Sequence, residues 1–468
     1  MKKFCIISFI ITRIFYFIFI QLIFNTKFIR KRDYSQDILA NSDIKNISFA
    51  EKILLNWLKY FLSYDGQHFE YISENGYLLD HLFCFYPFFP YCARIFVPIF
   101  RLFNFKNPHS PFIFSGLLFS NILGLLNTIL LANIIYKITN SKVKGKISAL
   151  LFLINPGTIF YMAYYSENLY FFLSLLLVKE LMNDNYNLFY YIKLCLIIMG
   201  LLMTRSNGII LLSFFVIPIF KKLFEDINKN QISFTFEFLG NFKLFLDLIL
   251  KNFLFIFLHV LLCFYGFLIF YWMVNLRPKN IICTASKKLI NYNDPNFPDY
   301  WNFCNNLNSP IKNIYNYLQN KYWSVGFFSQ YYLSNLDKIL FSLPMNIIGG
   351  YLIYRSFRIF NFKALIKLNI IEFFFHDKKI NKENLFVEPF ILGGLINFCV
   401  LFFTIITIAY ISINNRLYTG HILLYYWLSE DILKYLKGEN KTGFLIISTF
   451  FIVSLLYVVT NIGSYNGV

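Results

Sequence analysis

Charge is scarce in this chain. Asp, Glu, Lys and Arg make up only 15% of its 468 residues, and the carboxylates are the rarer, 25 against 43 bases. Hydrophobic residues reach 57% and the mean hydropathy is +0.53, so the apolar surface exceeds what one water-soluble core could hide. A soluble globule is excluded, and an all-α polytopic membrane protein is the class that remains. Ala, Gly and Pro are also few beside Phe, Tyr, Ile, Asn and Lys. That pattern fits a coding bias that puts Phe and Ile in place of Leu and Ala, so single Phe or Tyr residues carry little functional information.

Signatures of common chemistries are missing as well. There is no Gly-rich phosphate loop, no HExxH, no GxSxG, and no Asp-x-Asp, the usual metal and nucleotide-sugar signature. The eight cysteines lack the close pairs of a zinc site, and His81, His109, His259, His376 and His421 lack metal-ligand spacing and read as structural. No metal and no cofactor is expected. Cys5, Cys195, Cys263 and Cys399 sit in apolar runs, whereas Cys283 and Cys304 share a polar loop and could form a disulfide if that loop lies in an oxidising lumen. The formal charge of +18 falls in short clusters between apolar runs, as in loops on the cytoplasmic side, so no nucleic-acid partner is expected.

What the chain does contain is apolar runs. Read at about 20 residues per crossing, fewer where protein covers polar ends, they give eleven candidate spans. These are 4–24, 112–136, 147–162, 167–183, 189–203, 208–220, 246–273, 338–354, 388–413, 421–434 and 443–460. With a cytoplasmic N-terminus, "KITNSKVKGK" (137–146), "KKLFEDINKNQ" (221–231), the basic loop 355–387 and "KYLKGENK" (434–441) all fall on the cytoplasmic side. "KFIRKRD" (27–33) is the counter-signal, falling on the far side. No internal repeat and no second soluble domain is evident, so 1–468 reads as one membrane domain. Its first loop (25–111) and second large loop (274–334) lie on the face opposite the basic loops, the first carrying short interfacial helices.

The unusual polar stretches gather on that same face. They are "SYDGQHFEYISENGY" (63–77), "YYSEN" (164–168), "TRSNG" (204–208), the 274–334 segment and "NNRLYTGH" (414–421). In the first, Asp65 can N-cap a two-turn helix ending near Asn75-Gly76, or serve as a general base at the membrane surface. "FYPFFP" (85–90), with two prolines, suits a re-entrant or surface-lying segment. Glu167 stands at the edge of a span, where a carboxylate costs about 2.5 to 3.5 kcal/mol as it nears the bilayer centre. A helix N-terminus would also explain it. Arg205 and Arg416 are lone cations beside apolar helix ends, free either to snorkel or to hold a phosphate bidentately. "IKNIYNYLQNKYWSVGFFSQYY" (311–332) is aromatic yet broken by Asn, Gln and Gly. It reads as an interfacial belt or as a groove for sugars and polyisoprenoid chains.

Taken in order, "YDGQHFEYISENGY" with "FYPFFP", "LFLINPGTIFYMAYYSENLYFF", "MTRSNGIILL", "WNFCNNLNSPIKNIYNYLQNKYWSVGFFSQYY" with "SLP", and "NNRLYTGHILLYYW" resemble the PIG-V family. These are the second mannosyltransferases of glycosylphosphatidylinositol (GPI) anchor assembly. The resemblance covers about 55–430. It implies a GT-C glycosyltransferase of the endoplasmic reticulum membrane, using dolichyl-phosphate mannose on the lumenal face. It further implies α1,6 transfer to the first mannose of the GPI precursor glycolipid, with inversion at the anomeric carbon. The family's Trp-Asp pair maps onto Tyr64-Asp65, which makes Asp65 the implied base. Arg205 and Arg416 map onto arginine-bearing motifs. His68, Glu167, Asn207, Gln319, Tyr322 and Trp323 complete the expected substrate-binding set. Membrane lipids are expected partners, and a small accessory membrane subunit is left open. A polytopic transporter or scramblase, or another dolichyl-phosphate-mannose-dependent enzyme with a different acceptor, is the alternative reading. Asn46 in "NIS" would be glycosylated if the first loop is lumenal.

Overall fold

The computed structural model describes residues 1–25, 49–62, 64–229, 238–288, 304, 313–367, 369–375, 384–409 and 413–462. The 27–33 basic run and Asn46 lie outside the described residues. Among the described residues all regular structure is helical. Seven helices are long and apolar enough to cross a membrane: Lys2–Ile23, Ser110–Thr139, Ser206–Lys229, Phe253–Thr284, Leu333–Phe357, Phe386–Thr407 and Thr442–Val459. They overlap seven of the eleven expected spans, but the expected 208–220 runs on to Lys229, and the expected 246–273 is shifted to Phe253–Thr284, into the segment expected as the second large loop. The other four expected spans hold shorter helices, Lys142–Leu153, Glu167–Leu181, Leu188–Leu202 and Ile422–Leu436.

The 30-residue helix Ser110–Thr139 packs against Lys142–Leu153 and Glu167–Leu181, and one apolar cluster runs from Phe9 to Val458. Helices with apolar residues all round, rather than on one stripe, are the ones that sit among other helices and lipid.

Three breaks interrupt this packing, and they position the site. The expected span 147–162 stops at Leu153, because Asn155-Pro156-Gly157 cannot continue a helix. Residues 154–166 then run as turns inside the bundle. Irregular backbone at such depth survives only where protein satisfies it, and here it is satisfied. Thr158 Oγ1 donates to the Leu153 carbonyl at 3.0 Å, Asn168 Nδ2 to the Tyr161 carbonyl at 2.7 Å, and the Tyr164 amide to Phe61 O at 3.0 Å. A second break precedes the 3₁₀ turns of Ser206–Phe215. The third follows Thr407, short of the expected 413, and contains the short helix Asn414–Leu417. The first and third breaks touch. A Cβ on Gly157 would lie 2.9 Å from both Asn415 O and Thr419 Oγ1, so only glycine permits this approach.

The first loop carries short helices, as its sequence suggests, but two details differ. Asp65 is the first residue of the Asp65–Asn75 helix, with Tyr64 before it at φ 53° and no side-chain cap. The carboxylate is drawn instead to a distant arginine. "FYPFFP" does not lie on the surface: Tyr86 and Phe89 are buried, and the Phe88 amide donates to Met203 O at 3.0 Å. Gly76, at φ 77°, ends the helix with its N–H on Ile72 O. Cys283 and Cys304 are joined as a disulfide.

Candidate active site

The three breaks and the first loop bring four charged side chains together. Arg416 donates through Nη1 to Asp65 Oδ2 at 2.5 Å and through Nε to Glu167 Oε1. Arg205 Nη1 donates to the same Glu167 oxygen and reaches Ser166 Oγ at 3.4 Å. Glu167 is thus clamped between two guanidiniums, at 3% side-chain exposure. Two cations and two anions neutralise one another, which is what makes four charges tolerable in an apolar bundle. Phe160 and Tyr165 lie 5.1 and 4.9 Å from the Arg416 guanidinium carbon and hold it from the side.

Asp65 keeps 28% side-chain exposure and lines a cavity of about 1500 Å³. Burial pushes its carboxyl upward, but the Arg416 guanidinium, aided by His68 and Arg205, overrides this and holds it below the ordinary carboxylate range. Burial works against the charge on Arg416, and Glu167 and Asp65 more than compensate, so its pKa is raised. Polar lining comes from Arg205, Ser206, Asn207, Tyr315, Gln319 and Tyr322. The remaining wall includes Ile209, Ile210, Phe270, Phe341, Val400 and Ile405, an apolar flank set by helices. The Ile314–Trp323 helix crosses this space from the second large loop. It is pinned to the first loop where Tyr322 Oη donates to both oxygens of Asp80, at 2.7 Å each, and Lys321 Nζ adds a contact at 3.1 Å. The cavity therefore has Asp65 beside two arginines, a second charged pair of residues in Asp337 and Lys338, an aromatic wall and an apolar flank.

The profile of the mannosyltransferase (PIG-V) family matches residues 2–463. The chain belongs to the PIG-V mannosyltransferase family. Relatives include GPI mannosyltransferase 2 of Drosophila pseudoobscura pseudoobscura, 24% identical over 85% of this chain and 84% of the fly protein. The human GPI alpha-1,6-mannosyltransferase 2 is 23% identical over 68% of this chain and 62% of its own. Among solved structures, the archaeal oligosaccharyltransferase AglB of Archaeoglobus fulgidus, in complex with an inhibitory peptide and a dolichol-phosphate, aligns at TM-score 0.44 and 14% identity. That alignment spans 99% of this chain and 56% of AglB.

In this PIG-V mannosyltransferase the residues expected from the sequence fall into two groups. Asp65, Arg205, Asn207, Gln319, Tyr322, Trp323 and Arg416 line the cavity. His68 and Glu167 are not among its lining residues. His68 stacks on Phe85 with ring centroids 4.6 Å apart, and Glu167 lies behind the arginines as their shared counter-ion. Asp80, Tyr165 and Tyr315 are at the site without having been expected from the sequence. Arg13 was not expected either, and sits in the first span with Nη2 donating to the Tyr161 carbonyl at 3.0 Å. A charge in mid-span was the available signal for Arg13.

Proposed function

We propose that the protein is the α1,6-mannosyltransferase of GPI-anchor assembly, a GT-C-type enzyme of the endoplasmic reticulum membrane. It takes mannose from dolichyl-phosphate mannose on the lumenal side and places it on the first mannose of the GPI precursor glycolipid. Family membership and the names of the relatives support this reading. The observation that carries it is the Asp65 carboxylate set beside two arginines in a cavity with an apolar flank. Such a pocket suits a sugar-phosphate headgroup on a long hydrocarbon chain. The disulfide that joins Cys283, at the end of the Phe253–Thr284 helix and not in a loop, to Cys304 supports an oxidising compartment.

The donor is β-linked and the product α-linked, so one in-line displacement accounts for the stereochemistry. The bond from C1 of mannose to the phosphate oxygen breaks as the bond from C1 to the acceptor O6 forms. The electron pair leaves with dolichyl phosphate, and Asp65 accepts the O6 proton. A carboxylate held below the ordinary range is a weak base toward a resting hydroxyl. It becomes adequate once bond formation makes that hydroxyl acidic. Arg416 and Arg205 stabilise the charge that develops on the departing phosphate. Tyr322, Trp323, Gln319 and Asn207 orient the two sugars.

The test is rescue of surface GPI-anchored proteins in cells lacking the second mannosyltransferase. The wild-type chain is expected to restore them. Good expression with continued accumulation of the singly mannosylated lipid would refute the assignment.

A further inference from the structure

The Asp65–Asn75 helix carries a second acidic pair on its inner side. Glu70 and Glu74 are four residues apart and so share one helix face, and His109 approaches them from the residue before Ser110–Thr139. His109 Nδ1 lies 2.5 Å from Glu74 Oε2 and 3.6 Å from Glu70 Oε1. The second distance is too long for a hydrogen bond. Glu70 is 2% exposed, and its Oε1 is buried without any hydrogen-bond donor. Ser73 Oγ, one helical turn on, is also buried and lies against the Tyr164 hydroxyl. Among the described residues no Lys or Arg nitrogen reaches either carboxylate within ion-pair distance. Even a protonated His109 therefore leaves one negative charge uncompensated in a buried place, and such a charge is strongly unfavourable unless a cation or a proton meets it.

We propose that Glu70, Glu74 and His109 form a binding site for one zinc ion, which ties the helix bearing Asp65 to the start of Ser110–Thr139. The ligand set of one imidazole and two carboxylates, with a fourth position left for water, is one that zinc accepts at about 2.0 to 2.2 Å. Calcium and magnesium are disfavoured, since they require six or more oxygens or several retained waters, and Glu70 is sealed from solvent. The three ligand atoms lie within 4.8 Å of one another. Tetrahedral ligands of a common zinc sit about 3.4 Å apart, so the Glu74 and His109 atoms part by about 1 Å while Glu70 closes in. Both moving side chains keep some exposure, 17% and 20%. The site lies outside the cavity lining and serves to position a helix.

The experiment uses full-length protein in detergent, stripped with a chelator and then equilibrated with zinc chloride. Bound zinc is counted per chain, and thermal unfolding is followed with and without the ion. One equivalent is expected in the wild type with a raised Tm, and affinity at least about tenfold weaker in Glu74→Gln and in His109→Gln. Asp80→Asn, in the same loop and beside His81, should keep the full equivalent. A wild type that retains no zinc would assign a proton to Glu70 and overturn the site, even if both variants fail to fold. Unchanged stoichiometry in folded variants would overturn it equally.

Discussion

Two arginine clusters lie toward opposite ends of one helix, Ile422–Leu436, about 22 Å long at 1.5 Å per residue. At one end Arg355 spends both terminal nitrogens on carboxylates, Nη1 on Asp431 and Nη2 on Glu430 at 3.0 Å. Its guanidinium lies 4.4 Å from the Trp427 ring, and Trp427 is itself tied to Ser356 Oγ at 2.9 Å. At the other end Arg416 holds Glu167 and Asp65, but Asp65 faces the cavity. The same chemical pair therefore does two jobs. Where the pair lies away from the cavity, with Asp431 at 3% side-chain exposure, it fastens helices, and where one partner lines the cavity it becomes a site.

The contrast can be broken by mutation. The largest stability effect is expected from Glu167→Gln, which leaves two buried guanidiniums without their shared anion. Removing one member of a buried pair costs about 3 to 5 kcal/mol, so this variant should express poorly and lose its thermal transition in detergent. Next come two matched changes. Arg416→Lys should lower turnover about 10²- to 10³-fold, the scale of losing one preorganised charge contact, with a modest change in Tm. Arg355→Lys should do the reverse, lowering Tm while leaving turnover near wild type. If the two arginines exchange these phenotypes, the comparison fails.

Smaller effects sharpen it. Tyr322→Phe removes the hydrogen bonds to Asp80 that pin the second loop to the first. Bonds to a charged group are worth about 1.5 to 3 kcal/mol, so KM for the donor should rise about tenfold or more while kcat changes less. The smallest effect is on pH. Asp65 has a depressed carboxyl, so its ionised form persists as pH falls past the ordinary value of about 3.9 and is lost only below it. The acid limb of kcat/KM assigned to Asp65 should therefore lie below pH 4, and a limb near pH 6 would mean that another group is the base.

The legible part of this site was its charge. Asp65, Glu167, Arg205 and Arg416 stand out because an ionised residue beside an apolar run needs a reason. Their pairing was not legible, since Arg416 and Asp65 are 351 positions apart and Arg416 and Glu167 are 249 apart. Local pattern contains no trace of such contacts. The same limit explains Asp65 itself: spacing offered it as a helix cap, and tertiary attraction to Arg416 took it elsewhere. The long spans were readable from hydropathy. The turn at 154–166 was masked because its residues are as apolar as a span, and only Pro156 and Gly157 hinted at the break.

The central claim is that Asp65 removes the acceptor proton. The direct measurement is single-turnover transfer of mannose from dolichyl-phosphate mannose to the singly mannosylated precursor, by purified wild type and Asp65→Asn, with donor affinity measured alongside. The account predicts an intact Kd for the donor and a transfer rate reduced about 10²- to 10⁴-fold, the usual contribution of a general base. Transfer at the wild-type rate by Asp65→Asn would contradict it.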